Sequence, residues 1–226
     1  MFRKIKIILI LSILTSFPFH SSTVDKKNIN VMDLIRNSDS ALKIVNSNKN
    51  LNHFKKYLKN SKAVLIFPRL IEGGFFFGAK GGNGILLIKK GSSWTGPFFY
   101  TMGGVSIGLQ LGVKSGELVM TVMSYRGLES ILKERVKFGV DIESAIVTEG
   151  AGLSAESTIR LADIYTFSNN EGLFLGGSFD GSYIQPRNDF NVSLFNKEFN
   201  PEQIIDSQVL HPSAKIIEKT ISKILD

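Results

Sequence analysis

The chain has 226 residues and no cysteine. That absence removes disulfides, thiolate nucleophiles and thiolate metal ligands, and with them the acylated cysteine that would tether a lipoprotein. Histidine is almost as scarce, and beyond residue 23 only His53 and His211 are present. With carboxylates scattered rather than clustered at ligand spacing, no metal is expected, and no cofactor either. Long apolar runs are missing too, since the run from Ile7 to Phe19 is too short to cross a bilayer comfortably. Acid is the minority charge, with 20 Asp and Glu against 27 Lys and Arg. Arg3, Lys4 and Lys6 precede the apolar run, and without them the surplus falls to four. So small an excess suits contact with anionic headgroups without requiring it, and gives no support to nucleic acid as a partner.

What is present begins with "MFRKIK" and the apolar run behind it, which together read as an export signal over residues 1–23. Ser21 and Thr23 are small at the −3 and −1 positions, but no A-x-A pattern follows, so an uncleaved anchor is the alternative. The expected localisation is exported, either periplasmic or membrane-associated. Residues 24–60 read as an N-terminal linker and helices, and residues 61–226 as a β-rich domain ending in helices. Apolar spacing predicts a helix in "VMDLIRNSDSALKIV", with a break near Asn37 to Ser40, and another in "LNHFKKYLKNSK" with Leu51, Phe54 and Leu58 inward. "PEQIIDSQVL" and "PSAKIIEKTISKIL" predict helices at the C-terminal end, and "LESILKERV" a short one in the middle.

The centre is rich in strands. "AVLIFP" predicts a buried strand stopped by proline, "GILLIKK" another, and "SSWTGPFFYTMGG" a turn into an aromatic strand. "VSIGLQLGV" alternates strictly, with Val105, Ile107, Leu109, Leu111 and Val113 on one side, and "KSGE" reads as the turn after it. Twenty-one glycines and 17 phenylalanines fit a pleated, bent scaffold. Strands in the centre and helices at both ends, without βαβ alternation, predict an α+β fold: a curved, Gly-rich antiparallel sheet, sandwich or partial barrel.

Catalytic patterns are weak. "GVSIG" matches a nucleophile elbow on Ser106, but it lies inside an alternating strand with no helix after it, and only His211 follows in hydrolase order. "EGAGLSAE" echoes a dinucleotide fingerprint without its strand–helix context, and Lys80 in "GGFFFGAKGG" lacks the Ser or Thr of a phosphate loop. A non-enzymatic protein is expected, with a serine hydrolase on Ser106 as the weakest alternative.

The ordered runs "SKAVLIFPRLIEGGFFFGAKGGNGILL", "WTGPFFYTMGGVSIGLQLGV", "FGVDIESAIVTEGAG" and "ADIYTFSNNEGLFLGGSFDGSYI" resemble the SYLF-domain family of Ysc84-like lipid-binding proteins. The resemblance covers roughly Ser61 to Ile205 and is closest to the bacterial exported type. It implies phospholipid binding, membrane association and no catalysis. Eukaryotic relatives couple phosphoinositide membranes to actin, whereas bacterial ones are exported and many are lipoproteins. This chain departs by lacking the lipoprotein cysteine, by carrying "VTEGAG" where relatives tend to have a Gly-Pro turn, and by having no adaptor domain. Actin binding is therefore not carried over.

Lipid contact would draw on Lys55, Lys56 and Lys59 of the second helix, on Lys89 and Lys90, and on Lys133, Arg135 and Lys137. "EGGFFFGAKGGNG" adds Phe75, Phe76 and Phe77. Successive strand side chains face opposite ways, so either the sheet is covered on both faces or a ring is exposed. Lys80 reads as a headgroup contact or a solvated turn lysine. "EGLFLGGSFDGSY" repeats the motif with Phe179 in place of the lysine, which favours an architectural role. The partners expected are an anionic phospholipid or membrane surface and, as the second reading, an envelope protein in a structural or scaffolding role.

Overall fold

The computed structural model describes residues 30–51, 53–74, 77–107, 112–133, 135–137, 144–146, 163–169 and 182–226. Eight strands form one curled sheet: β1 (Ala63–Gly74), β2 (Phe77–Lys90), β3 (Ser93–Ile107), β4 (Gly112–Val122), β5 (Val136–Lys137), β6 (Ser144–Ile146), β7 (Ile164–Ser168) and β8 (Ser182–Pro186). Their spatial order is β5-β8-β3-β2-β1-β4-β7-β6. The helices are α1 (Val31–Ser47), α2 (Phe54–Asn60), α3 (Tyr125–Ile131), α4 (Asn188–Phe195), α5 (Pro201–Asp206) and α6 (Lys215–Leu225). The α+β class and the helices at both ends agree with the sequence reading. One pair departs from it, because β6 and β7 run parallel. Alternation reports faces and not direction, and residues 147–163 exceed the dozen or so that a parallel crossover needs.

Both faces of the sheet are covered. Leu65, Phe67, Leu86, Phe98, Tyr100 and Met120 point to one side and meet Leu128 and Ile131 of α3 and Ile204 of α5. Val64, Ile66, Leu87, Phe99, Val119 and Phe167 point to the other and meet α1, α2 and α6. That is why "AVLIF" and "GILLI" are continuous apolar runs instead of alternating ones. Phe54 and Leu58 of α2 are buried here, and the Phe54 ring stands edge-on to Phe167 at 5.0 Å.

Several boundaries differ from those expected. α1 runs unbroken through Asn37 to Ser40. The Ser38 and Ser40 hydroxyls donate to the carbonyls of Leu34 and Arg36 inside the helix. Asp39 is buried between Lys43 Nζ at 2.6 Å and Thr220 Oγ1 at 2.5 Å, which ties α1 to α6. Ser124 caps α3, and Asn200 with Gln203 forms a capping box on α5. The alternation from Val105 to Val113 is not one strand: β3 ends at Ile107, β4 begins at Gly112, and β2 and β1 lie between them. "KSGE" is inside β4, not a turn. The turn that joins β2 to β3 is at Gly91, whose φ of 62° suits a residue without a Cβ.

β1 does not stop at its proline either. From Ile66 to Ile71 it advances five residues while β2 advances four, from Ile85 to Gly81, so Pro68 sits in a bulge. The extra residue reverses the inside–outside pattern. Phe67 and Leu70, three apart, share one core. Ile71 thereby turns to the face covered by α1, α2 and α6, called the helix-bearing face below, and Glu72 to the opposite one, which meets α3 and α5. Gly84 lets β2 approach this bulge, since a Cβ there would lie 2.5 Å from the Ile66 carbonyl oxygen and 2.6 Å from the Phe67 ring.

Gly84→Ala is expected to cost about 1–3 kcal/mol through overpacking, read as a lower urea midpoint at unchanged slope. Thr220→Val strips a buried Asp39 oxygen of its donor and is expected to cost about 1–3 kcal/mol in the same measurement.

Candidate functional site

The end of the sheet where β1 meets β2 and β3 leads to β4 extends beyond the helices. Gly73 lies opposite Ala79 on β2 and Val113 on β4, and Ala79 lies opposite Val105 on β3. Directly opposed residues share a face, so Val113, Gly73, Ala79 and Val105 form one row across four strands. The row faces water: Val105 is 70% exposed and Val113 78%. In the next row Ile71 stands between Ser115 and Gly81 and is 40% exposed.

The reverse side of this tip is polar and enclosed. Glu72 and Lys80 face each other across β1 and β2 and are 3% and 5% exposed. Lys80 is thus neither a headgroup contact nor a solvated turn lysine, because the bulge aims its strand partner Glu72 to the same side. A Cβ on Gly104 would meet Lys80 Cε at 3.1 Å and Ser182 Oγ at 3.0 Å. Among the described residues the Ser182 hydroxyl here is buried without a hydrogen-bond partner, as are those of Tyr100 and Thr166 farther from the tip. Burial pushes the Tyr100 phenol well above its ordinary range.

On the helix-bearing side a cavity of about 530 Å³ opens between the start of α1 and the β1 bulge. Its walls include Asn30, Asp33, Asn37, Arg69, Ile71 and Asn83, over a floor of Gly81 and Gly82. A second hollow of about 340 Å³ shares Asn37, Pro68 and Arg69 and adds Ser40, Ser115 and Glu117. Asp33 pairs with Arg36 on its own helix. Asn83 Oδ1 accepts from Arg187 Nη1 at 2.9 Å, and Arg187 grips Asp189 through Nε at 2.8 Å and Nη2 at 2.7 Å. That paired contact raises the Arg187 guanidinium and lowers the Asp189 carboxyl from their ordinary values.

The cations expected at a lipid site do not share one face. Lys55, Lys56 and Lys59 are exposed on α2, and Lys89 Nζ joins them by donating to the Lys59 carbonyl at 2.6 Å. Lys90 points to the other side of the sheet and donates to the Ile205 carbonyl. Lys133, Arg135 and Lys137 lie at and beside the edge strand β5, with Arg135 stacked 3.8 Å over Tyr183. Phe75 and Phe76 lie outside the described residues, as does most of the second glycine–phenylalanine motif, including Phe179. The Phe77 backbone is opposite Ile107 at the tip, roughly 40 Å along β2 from Lys89, so Phe77 and the Lys89–Lys90 pair lie at opposite ends of one strand. Arg69 and Ile71 were not legible as site residues, since a proline in an apolar run reads as a stop and not as a bulge.

Ser106 is no elbow. Its backbone pairs with Gly78 within β3. His211 lies in the C-terminal segment beside Gly96, ten residues from Ser106 along β3, with its backbone N–H donating to the Gly96 carbonyl at 2.8 Å and its Nδ1 2.7 Å from Ser213 Oγ. Ten strand residues span about 33 Å, which no proton transfer bridges. The hydrolase alternative therefore lacks its geometry, and a fluorophosphonate probe is expected to leave the folded protein unlabelled by gel fluorescence.

Among known proteins, the family described as Ysc84, Las17-binding protein actin regulator, matches residues 103–224. The chain is 27% identical over 161 residues to "SH3 domain-containing YSC84-like protein 1" of Xenopus laevis, covering 70% of this chain and 47% of that protein. It is 27% identical over 166 residues to "Protein YSC84" of Saccharomyces cerevisiae, covering 70% of this chain and 34% of that protein. It thus spans a third to a half of the curated relatives it matches. No solved structure gives a significant match. With more than half of its length matched, the chain belongs to the Ysc84, or SYLF, family.

Proposed function

We propose that this protein is an exported, non-enzymatic module that associates with anionic phospholipid membranes through the tip of its sheet. The observation that carries the reading is the row of Val113, Gly73, Ala79 and Val105, with both valines mostly in water. The rest of the sheet has spent its apolar side chains on two covered cores. An apolar row left outside them marks an interaction surface.

Magnitudes fit a weak, reversible contact. Withdrawing an exposed valine from water contributes on the order of 1–2 kcal/mol, and each cation near an anionic surface about 1 kcal/mol. Two valines and Ile71 together reach about 3–5 kcal/mol, close to millimolar affinity, so nearby cations are needed as well. The sequence pattern of residues 1–23, which reads as a leader or an uncleaved anchor, supports the proposed export to the periplasm or a membrane surface.

A protein-scaffolding role is the second reading. It is favoured by the family description, which names Las17 binding and actin regulation, and by a relative named "LAS seventeen-binding protein 3". For this chain the apolar row would then receive a protein partner.

Sedimentation separates the two. Wild-type protein is expected in the pellet with phosphatidylglycerol-containing vesicles, and less so with phosphatidylcholine alone. Val105→Asp combined with Val113→Asp is expected to return it to the supernatant. Absence of wild type from both pellets at low salt would end the lipid reading.

A further inference from the structure

We infer that the cavity between α1 and the β1 bulge is a subsite for the phosphate ester of an anionic membrane lipid, with Arg69 as its charged contact. The inference deepens the lipid-association reading above and rests on it. Five arginines fall among the described residues, and four are engaged. Arg36 pairs with Asp33, Arg126 with Asp163 and Arg187 with Asp189, while Arg135 covers the Tyr183 ring. Arg69 makes no side-chain hydrogen bond, ion pair or ring contact with the other described residues, and it lines both hollows.

A guanidinium offers a planar fork of donors that matches two phosphate oxygens at once. Asn37 and Asn83 add side-chain amides to the walls, and Gly81 and Gly82 leave the floor free of side chains. Asp33 is neutralised by Arg36, so Arg69 is the uncompensated charge among the cavity's lining residues. Glu117 lies in the adjoining hollow and forms no ion pair with Arg69. A volume near 530 Å³ exceeds what inorganic phosphate needs and suits a headgroup.

Continuity with the apolar row selects a lipid over a free phosphate. Ile71 is a wall of the cavity and the neighbour of the row that holds Val105 and Val113. A phosphate held at Arg69 leaves the glyceride portion of the same molecule against that apolar surface. A rival basic cleft of about 400 Å³ lies between α1 and α6, lined by Lys43, Lys219 and Lys223. Lys43 there is already held by Asp39, and no wall comes from the sheet.

The test measures binding of full-length protein to phosphatidylglycerol vesicles for wild type, Arg69→Gln, Arg69→Lys and the Lys219→Gln, Lys223→Gln pair. Loss of a charge-assisted fork is expected to weaken vesicle binding roughly tenfold or more in Arg69→Gln, with Arg69→Lys between it and wild type. The lysine pair is expected to change it by less than about threefold. Thermal unfolding of Arg69→Gln should match wild type, because Arg69 has no side-chain partner among the described residues to lose. In a second arm, sn-glycerol 1-phosphate and inorganic phosphate are titrated while the side-chain amides of Asn37 and Asn83 are followed by NMR. Shifts with glycerol phosphate at lower concentration than with inorganic phosphate support a headgroup. Equal response to both, with vesicle binding of Arg69→Gln unimpaired, overturns the lipid assignment in favour of free phosphate. If wild type binds vesicles and Arg69→Gln binds as tightly, or the lysine pair carries the loss, the cavity is wrong and the broader reading stands. If wild type binds no vesicles, the broader reading fails first.

Discussion

Between Ile66 and Ile71, β1 takes one residue more than the strand beside it, and the candidate site follows from that extra step. Side chains alternate along a strand with period two, so a single insertion exchanges the faces of every residue beyond it. Without the bulge, Ile71 would enter the side occupied by Leu70, and Glu72 would stand with the helices. With it, Ile71 reaches the helix-bearing face, Glu72 meets Lys80 in an enclosed place, and Arg69 projects beside α1. Pro68 suits the position because a bulged residue gives up a ladder hydrogen bond that proline cannot make. Gly84 suits it on the opposite strand, where even one methyl would collide with the bulge.

The sheet around this point is buried on both sides, which is uncommon for antiparallel strands and has a cost. Each central strand must offer apolar side chains in both directions, and helices from both ends of the chain are needed to cover them. The coverage ends before the tip does. Beyond it the two faces part: the helix-bearing side carries exposed Val105 and Val113, and the reverse side encloses Glu72, Lys80 and the unpartnered Ser182 hydroxyl. The apolar row is left exposed outside both cores.

Positive charge is distributed along the molecule instead of gathered. The α2 lysines and Lys89 lie at the end of β2 away from the tip, Lys90 faces α5, and Arg135 is taken up by Tyr183. Screening over about 8–10 Å means that lysines some tens of ångströms from a membrane contribute little to holding it. Under the proposed lipid reading, Arg69 beside the apolar row would therefore count for more than solvated lysines elsewhere.

The sequence alone determined the parts that depend on local pattern. Apolar spacing placed α1, α2 and α6, the buried side of α2 at Phe54 and Leu58, and an α+β fold with glycine-bent strands. Val105 and Val113 do share a side, but through the pairing of their strands with β2 and β1 and not through the single alternating strand that the sequence suggested. Which strands those valines belong to was not legible, since alternation is silent on where a chain leaves the sheet. Nor could a local pattern show that Pro68 bulges rather than ends β1, that Lys80 is buried beside Glu72, or that Arg69 is the arginine without a side-chain partner among the described residues. Those outcomes depend on which strand lies beside which and in what register, and register is set by contacts between residues far apart in the chain.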